Sequence, residues 1–152
     1  MTCKSNPWIN KILDILKKTY PNARIVLNYN NNWELLVSVI LSAQCTDIKV
    51  NEITRKLFKK YPKIEDYANA DIKILEQDIK PTGFYHNKAK NIQNAAKMLI
   101  EEYNGKIPKT MEEILELPGV ARKTGNVVLG NAHQIVEGIA VDTHVHRISQ
   151  RL

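Results

Sequence analysis

The stretch Leu117-Pro118-Gly119-Val120-Ala121-Arg122-Lys123-Thr124 decides the reading of this chain. It joins two helical patterns through a very short turn. On one side, Thr110 with Glu113 three residues on matches a capping box that opens a helix running to Leu117; on the other, the pattern resumes from Asn126 to Asn131. A Pro-Gly turn this short makes a helix-hairpin-helix. It points successive backbone N–H groups, with the positive end of the second helix, at one spot where a phosphate oxygen can sit. An ordinary αα-hairpin without a ligand has the same outline, and Arg122 and Lys123 beside the turn weigh towards an anion. Such a hairpin would grip backbone, not base sequence.

Working outward, the chain reads as helical throughout. Upstream, Ala89, Ile92, Ala96, Leu99 and Ile100 predict a long helix that stops at Asn104-Gly105. Pro81-Thr82-Gly83 is a turn, preceded by short helices over 64–68 and 71–79. Thr46 or Asp47 caps a helix to Tyr61, with Val50, Ile53, Leu57 and Phe58 on one side and Pro62 as its stop. From Trp33 to Ala43 nearly every residue is apolar, which predicts a central buried helix. Residues 22–32 read as an asparagine-rich loop in which Ile25 to Leu27 could form a brief isolated strand. Asn6-Pro7 open an N-terminal helix to about Tyr20, bearing Trp8, Ile12, Leu13 and Leu16, and both Trp8 and Trp33 are expected in the core. Downstream, Asp142 caps a last helix whose residues from Thr143 to Leu152 meet no Gly or Pro stop. Alternation of period two is nowhere sustained, so the fold class is all-α.

Composition narrows the class further. At 152 residues, folding buries about two-thirds of the extended surface without a staple. With 43% hydrophobic and 25% charged residues the chain is neither disordered nor fibrous, and it contains no run of 18 apolar residues that could span a membrane. Two cysteines, Cys3 and Cys45, cannot make a disulfide framework or a four-thiolate site, which fits a reducing compartment. Residues 1–10 lack the apolar stretch of a secretory signal, so a cytoplasmic location is expected. A net charge of +6, from 22 basic and 16 acidic residues, favours a polyanionic partner.

Two further segments complete the pattern: Leu41-Ser42-Ala43-Gln44-Cys45-Thr46-Asp47, and Val141-Asp142-Thr143-His144-Val145. Alone, Asp142 reads as an N-cap worth about 1 kcal/mol, and Gln44 as a polar helix end. Together with the hairpin, these segments closely resemble the endonuclease III family, bifunctional DNA glycosylases and abasic-site lyases of the helix-hairpin-helix superfamily. The resemblance spans nearly the whole chain. It implies a two-lobed fold with a DNA-binding cleft: a helical-barrel lobe over 25–135 that carries the hairpin, and a second, incomplete lobe of 1–24 with 136–152. It further implies Lys123 as the catalytic lysine, Asp142 as the catalytic aspartate, and Gln44 as the residue that fills the gap left by a flipped base. Gly119, Val120, Ala121 and Arg122 would bind DNA through the hairpin. The implied partner is double-stranded DNA containing oxidised pyrimidines or abasic sites, met by a monomer in the cytoplasm. Relatives that excise adenine or mismatched thymine carry another residue where Lys123 stands, so Lys123 points to lyase activity.

The chemistry asks for these residue types. A stacked base must be flipped out before its glycosidic bond is reachable, and an amine nucleophile at C1′ then allows both base release and strand cleavage. Asp142, capping through backbone N–H groups, should be ionised at neutral pH, as suits a carboxylate that stabilises a cationic sugar or takes the lysine's proton. His144 and His146 are two apart on one helix and point in different directions, which argues against a shared metal; Cys45 reads as a packing thiol.

The chain departs from the family in two respects. The usual hairpin reads G-V-G followed by K-T-A, whereas here Ala121 and Gly125 have traded places. If position 121 needs a left-handed backbone, alanine costs about 1–2 kcal/mol there. Secondly, the family's [4Fe-4S] cluster rests on a cysteine quartet that these residues lack, so no cofactor is expected within this chain, and a cluster only if the native protein continues beyond Leu152. In a truncated chain the apolar face of the N-terminal helix would be exposed. The alternative function, from a different class, is a non-catalytic or inactive duplex-DNA-binding module that keeps the hairpin without turnover.

Overall fold

The computed structural model describes residues 7 to 151; the expected cap Asn6, Cys3 and Leu152 lie outside them. Among the described residues all regular structure is helical, and no helix is long and apolar enough to cross a membrane.

Helix α2, Asn32–Ser42, is the centre of the molecule. Its start is doubly held. The Asn31 side chain accepts from the Glu34 N–H at 2.9 Å, while the Glu34 carboxylate accepts from the Asn30 backbone and side-chain amides at 2.7 and 2.9 Å. Every residue from Trp33 to Leu41 is buried. Such a helix needs neighbours on all sides, and α3 (Asp47–Lys60), α6 (Tyr85–Tyr103) and α8 (Arg122–His133) supply them. Trp33 meets Tyr67 edge-on with ring centroids 5.3 Å apart, inside the core as expected.

The connecting elements follow their local signals. Thr46 caps α3 by accepting from the Lys49 N–H, and Asp71 caps α5 (Ile72–Ile79) after the short α4 (Ile64–Ala68). A 3₁₀ turn, Lys80–Thr82, leads into α6, which closes with Asn104 and Gly105 in left-handed backbone and both their N–H groups directed at the Leu99 carbonyl. Thr110 caps α7, Met111–Glu116.

Three expectations need correction. Ile25 to Leu27 form no strand, because an isolated strand has no ladder partner; the Asn51 side chain of α3 instead donates to the Val26 carbonyl and accepts from the Asn28 N–H, at 3.0 and 2.8 Å. Trp8 is 53% exposed, since α1 (Pro7–Thr19) buries none of its residues and its apolar face looks outward. The last helix, α9, spans Thr143–Ser149 and then tightens, with the Arg151 N–H donating to the Ile148 carbonyl at 2.9 Å.

A buried leucine and an exposed one should therefore respond differently. Leu36→Ala, at a fully buried position, is expected to lower unfolding free energy by about 2–5 kcal/mol, and Leu13→Ala in α1 by about 0.5 kcal/mol or less, both read from urea denaturation.

Candidate functional site

The hairpin between α7 and α8 is built by one glycine and two buried aliphatics. Leu117 and Val120 plug the turn into the core, and the Val120 N–H donates to the Leu117 carbonyl at 3.1 Å. Gly119 has φ +82°, and a Cβ there would stand 2.9 Å from the Asn91 Cβ. Conformation and space both exclude a side chain. Ala121 has φ −96° and ψ 169°, an extended backbone open to any residue, so the left-handed strain expected of it does not arise. Its former partner in the exchange, Gly125, is buried where α8 crosses α7; a Cβ there would meet the Met111 sulfur at 2.9 Å and Ile114 Cγ2 at 3.2 Å. Met111 occupies the space that an alanine methyl would need.

Ala121 is also the N-cap of α8, and no side chain caps that helix. The N–H groups of its first turn therefore keep their capacity for an outside acceptor, beside exposed Arg122 and Lys123.

Asp142 lies at the head of α9, and its Oδ1 accepts from the Val145 and His144 N–H groups at 2.8 and 2.9 Å. These bonds, led by that of Val145, hold the carboxyl below the usual carboxylate range, and the positive charge of Lys123 adds to the effect. The carboxylate is anionic at neutral pH. The loop before it is moored to α8 by the Asn126 amide, which donates to the Ile139 carbonyl at 3.4 Å.

Segments far apart in sequence meet in one open cleft of about 1100 Å³. Ser42, Cys45 and Asp47 come from the α2–α3 junction, Lys123 from the first turn of α8, and Asp142 and His146 from α9. Gln44 is exposed next to this wall, in left-handed backbone with φ 55°, and is not among the residues lining it. The hairpin residues Gly119 to Arg122 likewise stand outside the lining, one residue from Lys123. Cys45 is half-buried and packs against the core. His144 borders the cleft as well, yet among the described residues no three His, Cys, Asp or Glu side chains gather as a metal would require. Arg147, which also lines the cleft, carried no sequence signal beyond following the Asp142 motif. Lys88 carried none at all, and it is 5% exposed.

The HhH-GPD superfamily of base excision DNA repair proteins matches residues 37–152. Endonuclease III of Synechocystis sp. is 54% identical over 142 residues, covering 93% of this chain and 65% of the relative; that of Bacillus subtilis is 51% identical over 140 residues, covering 92% and 64%. A solved structure of a trapped endonuclease III–DNA covalent intermediate superposes with a TM-score of 0.92 at 47% identity, covering 99% of this chain and 70% of that one. The chain belongs to the endonuclease III family of the HhH-GPD superfamily. It spans just under two-thirds of the length of the two curated relatives named above.

Endonuclease III proteins usually carry a [4Fe-4S] cluster, which takes four thiolate ligands. The 152 residues hold two cysteines, half the number that the cluster takes, and the one among the described residues, Cys45, sits in the cleft wall. The residues present do not fit the cluster.

Gly119→Ala should lower the melting temperature by several degrees, since left-handed strain alone costs about 1–2 kcal/mol and the Asn91 contact adds to it. For Asp142, carboxyl NMR should show a titration midpoint below an aspartate's ordinary value. Because the folded value is depressed, whatever stability the cap contributes is present above that ordinary value and is lost as pH falls through the folded one.

Proposed function

We propose that this chain is a bifunctional DNA glycosylase and abasic-site lyase for oxidised pyrimidines in duplex DNA, with Lys123 as nucleophile and Asp142 as its carboxylate partner. One observation carries the reading: Ser42 and Cys45 to Asp47, the start of α8 and the start of α9 line a single cleft that contains an amine and an ionised carboxylate. Likeness to proteins named endonuclease III supports it.

The reaction begins with the damaged base flipped out of the stack. The neutral Nζ of Lys123 attacks C1′, the bond from C1′ to the base nitrogen breaks, and the base leaves with the electron pair and gains a proton. Opening of the sugar ring gives an iminium whose charge acidifies the C2′ proton. Loss of that proton expels the 3′ phosphate as the C3′–O bond breaks, and water then releases Lys123. Asp142, anionic at neutral pH, either takes the lysine's proton or stabilises the cationic sugar.

Around this centre, Gly119, Val120, Ala121 and Arg122 hold a DNA phosphate at the uncapped start of α8, and Gln44 enters the gap left by the flipped base. Residues 25–135 form one lobe and 1–24 with 136–152 the other; a core that among the described residues runs from position 27 to 129, with no buried residue in α1 or α9, supports that division. The net charge of +6 suits a DNA partner, and the expected location is the cytoplasm. A [4Fe-4S] cluster would need cysteines that these 152 residues do not contain.

Borohydride should trap a covalent complex with abasic or oxidised-pyrimidine duplex DNA, and Lys123→Ala should abolish it. Asp142→Asn is expected to slow base release by about 10²-fold or more while duplex affinity stays within about twofold. Duplex binding without any trapped adduct would instead identify a non-catalytic binding module. Gln44→Ala should weaken binding to lesion duplex by about tenfold and leave trapping on a single-stranded abasic site unchanged, since only a duplex has a gap to fill.

A further inference from the structure

Lys88, in the first turn of α6, is a lysine buried among apolar helices. Among the described residues its amine has no carboxylate partner. Its Nζ donates instead to two backbone carbonyls, that of Leu41 at 2.8 Å and that of Thr82 at 2.9 Å. Leu41 belongs to the last turn of α2 and Thr82 ends the 3₁₀ turn, so both carbonyls sit at helix C-termini, where the last acceptors lack intrahelical donors and the dipole is negative. Burial pushes the Lys88 pKa down from its ordinary value, and Cys45 acts in the opposite direction. A core position of α6 would normally take an aliphatic side chain, so this lysine is placed for the two carbonyls it joins.

What the two carbonyls lead to gives the lysine its meaning. Three residues after Leu41 comes Gln44, and two after Thr82 comes Phe84; both are exposed and both hold left-handed backbone, with φ 55° and 48°. Neither is a glycine. Within the segment from Ala43 to Cys45, the Ala43 N–H reaches the Ile40 carbonyl at 3.4 Å, the Cys45 N–H reaches the Ser42 carbonyl at 3.1 Å, and the Cys45 side chain packs on the core, while Gln44 between them is exposed. The next residues, Cys45 to Asp47, are the cleft wall. We infer that Lys88 is a positioning residue for DNA engagement, tying the end of α2 to the turn before α6 so that Gln44 and the adjoining cleft wall stand ready before a duplex arrives. The inference rests on the function proposed above and assigns that site a residue remote from the reacting atoms. A loop fixed beforehand need not be ordered on binding, and removing the tie transfers that ordering to the binding step.

The test compares the whole chain with Lys88→Met, Lys88→Gln, Gln44→Ala and the double variant Lys88→Met with Gln44→Ala. The probes are a duplex carrying a tetrahydrofuran abasic analogue for affinity, and borohydride trapping on a single-stranded abasic site for the chemistry. Lys88→Met should weaken duplex binding tenfold or more, leave single-strand trapping within about twofold, and speed amide hydrogen exchange at Ala43 to Thr46. Lys88→Gln, which keeps a donor for one carbonyl, should fall between Met and wild type and serves if Lys88→Met does not fold. The double variant should bind duplex no more weakly than the worse single variant, because Lys88 acts through the Gln44 loop. Unchanged duplex affinity, equal loss on both substrates, or fully additive losses in the double variant would each overturn the inference. A wild-type chain that binds no duplex would overturn the proposed function itself, an outcome distinct from any of these.

Discussion

A helix that is apolar on every side has to be enclosed, and the architecture follows from enclosing α2. Burying a leucine or isoleucine side chain contributes about 1.5–3 kcal/mol, and α2 places Leu35, Leu36, Ile40 and Leu41 inside along one continuous axis. Helices α3, α6 and α8 are held around it by that burial. The consequence for function is geometric. Where α2 ends, the chain must emerge at the surface between its own neighbours, so the residues just past its C-terminus face the start of α8. Lys123 is in that first turn, and the loop moored to α8 by Asn126 brings Asp142 back to the same place.

The hairpin shows how a site can keep its shape while its residues change. The demanding position is Gly119, where backbone angle and the Asn91 contact together allow no side chain. Position 121 makes no such demand, being extended, and 125 is decided by what crosses it. With Met111 against α8, a methyl at 125 would collide, and glycine fits. An alanine and a glycine can therefore trade places around a fixed turn without strain at either, provided the helix opposite supplies the missing volume. Glycine inside α8 still lowers helix propensity by about 1 kcal/mol relative to alanine.

Most helices were legible because caps and stops are local: Thr46, Thr110 and Asp142 each sit where their side chains accept from the next turn. The apolar density of 33–41 likewise announced burial. What escaped the sequence depends on distant partners. Trp8 shares its apolar pattern with buried helices, yet it stands on a helix that buries none of its residues. Ile25 to Leu27 have strand-forming side chains, yet one asparagine of α3 takes the backbone groups that a strand would use. Of the site, Lys123 and Asp142 stood out through their motifs, whereas Lys88 is one lysine among many until its two carbonyls, from elements 47 and 6 residues away, are seen to converge on it.

Asp142 illustrates why capping and chemistry need not compete. Both backbone N–H bonds go to Oδ1, and among the described residues Oδ2 takes no hydrogen bond. One oxygen thus pins the carboxylate to α9 and, by stabilising the charge, keeps it anionic; the other is left to the cleft that Asp142 lines. A carboxylate held this way cannot act as a general acid at neutral pH, because its proton is already gone. It can attract a cation, and on the proposed mechanism two arise in sequence at this spot, the lysine ammonium and then the sugar iminium. A single fixed charge serves both, provided that α9 holds it in place between the two steps. The cap that looked like mere helix punctuation is, on this argument, what keeps the anion oriented while the substrate changes around it.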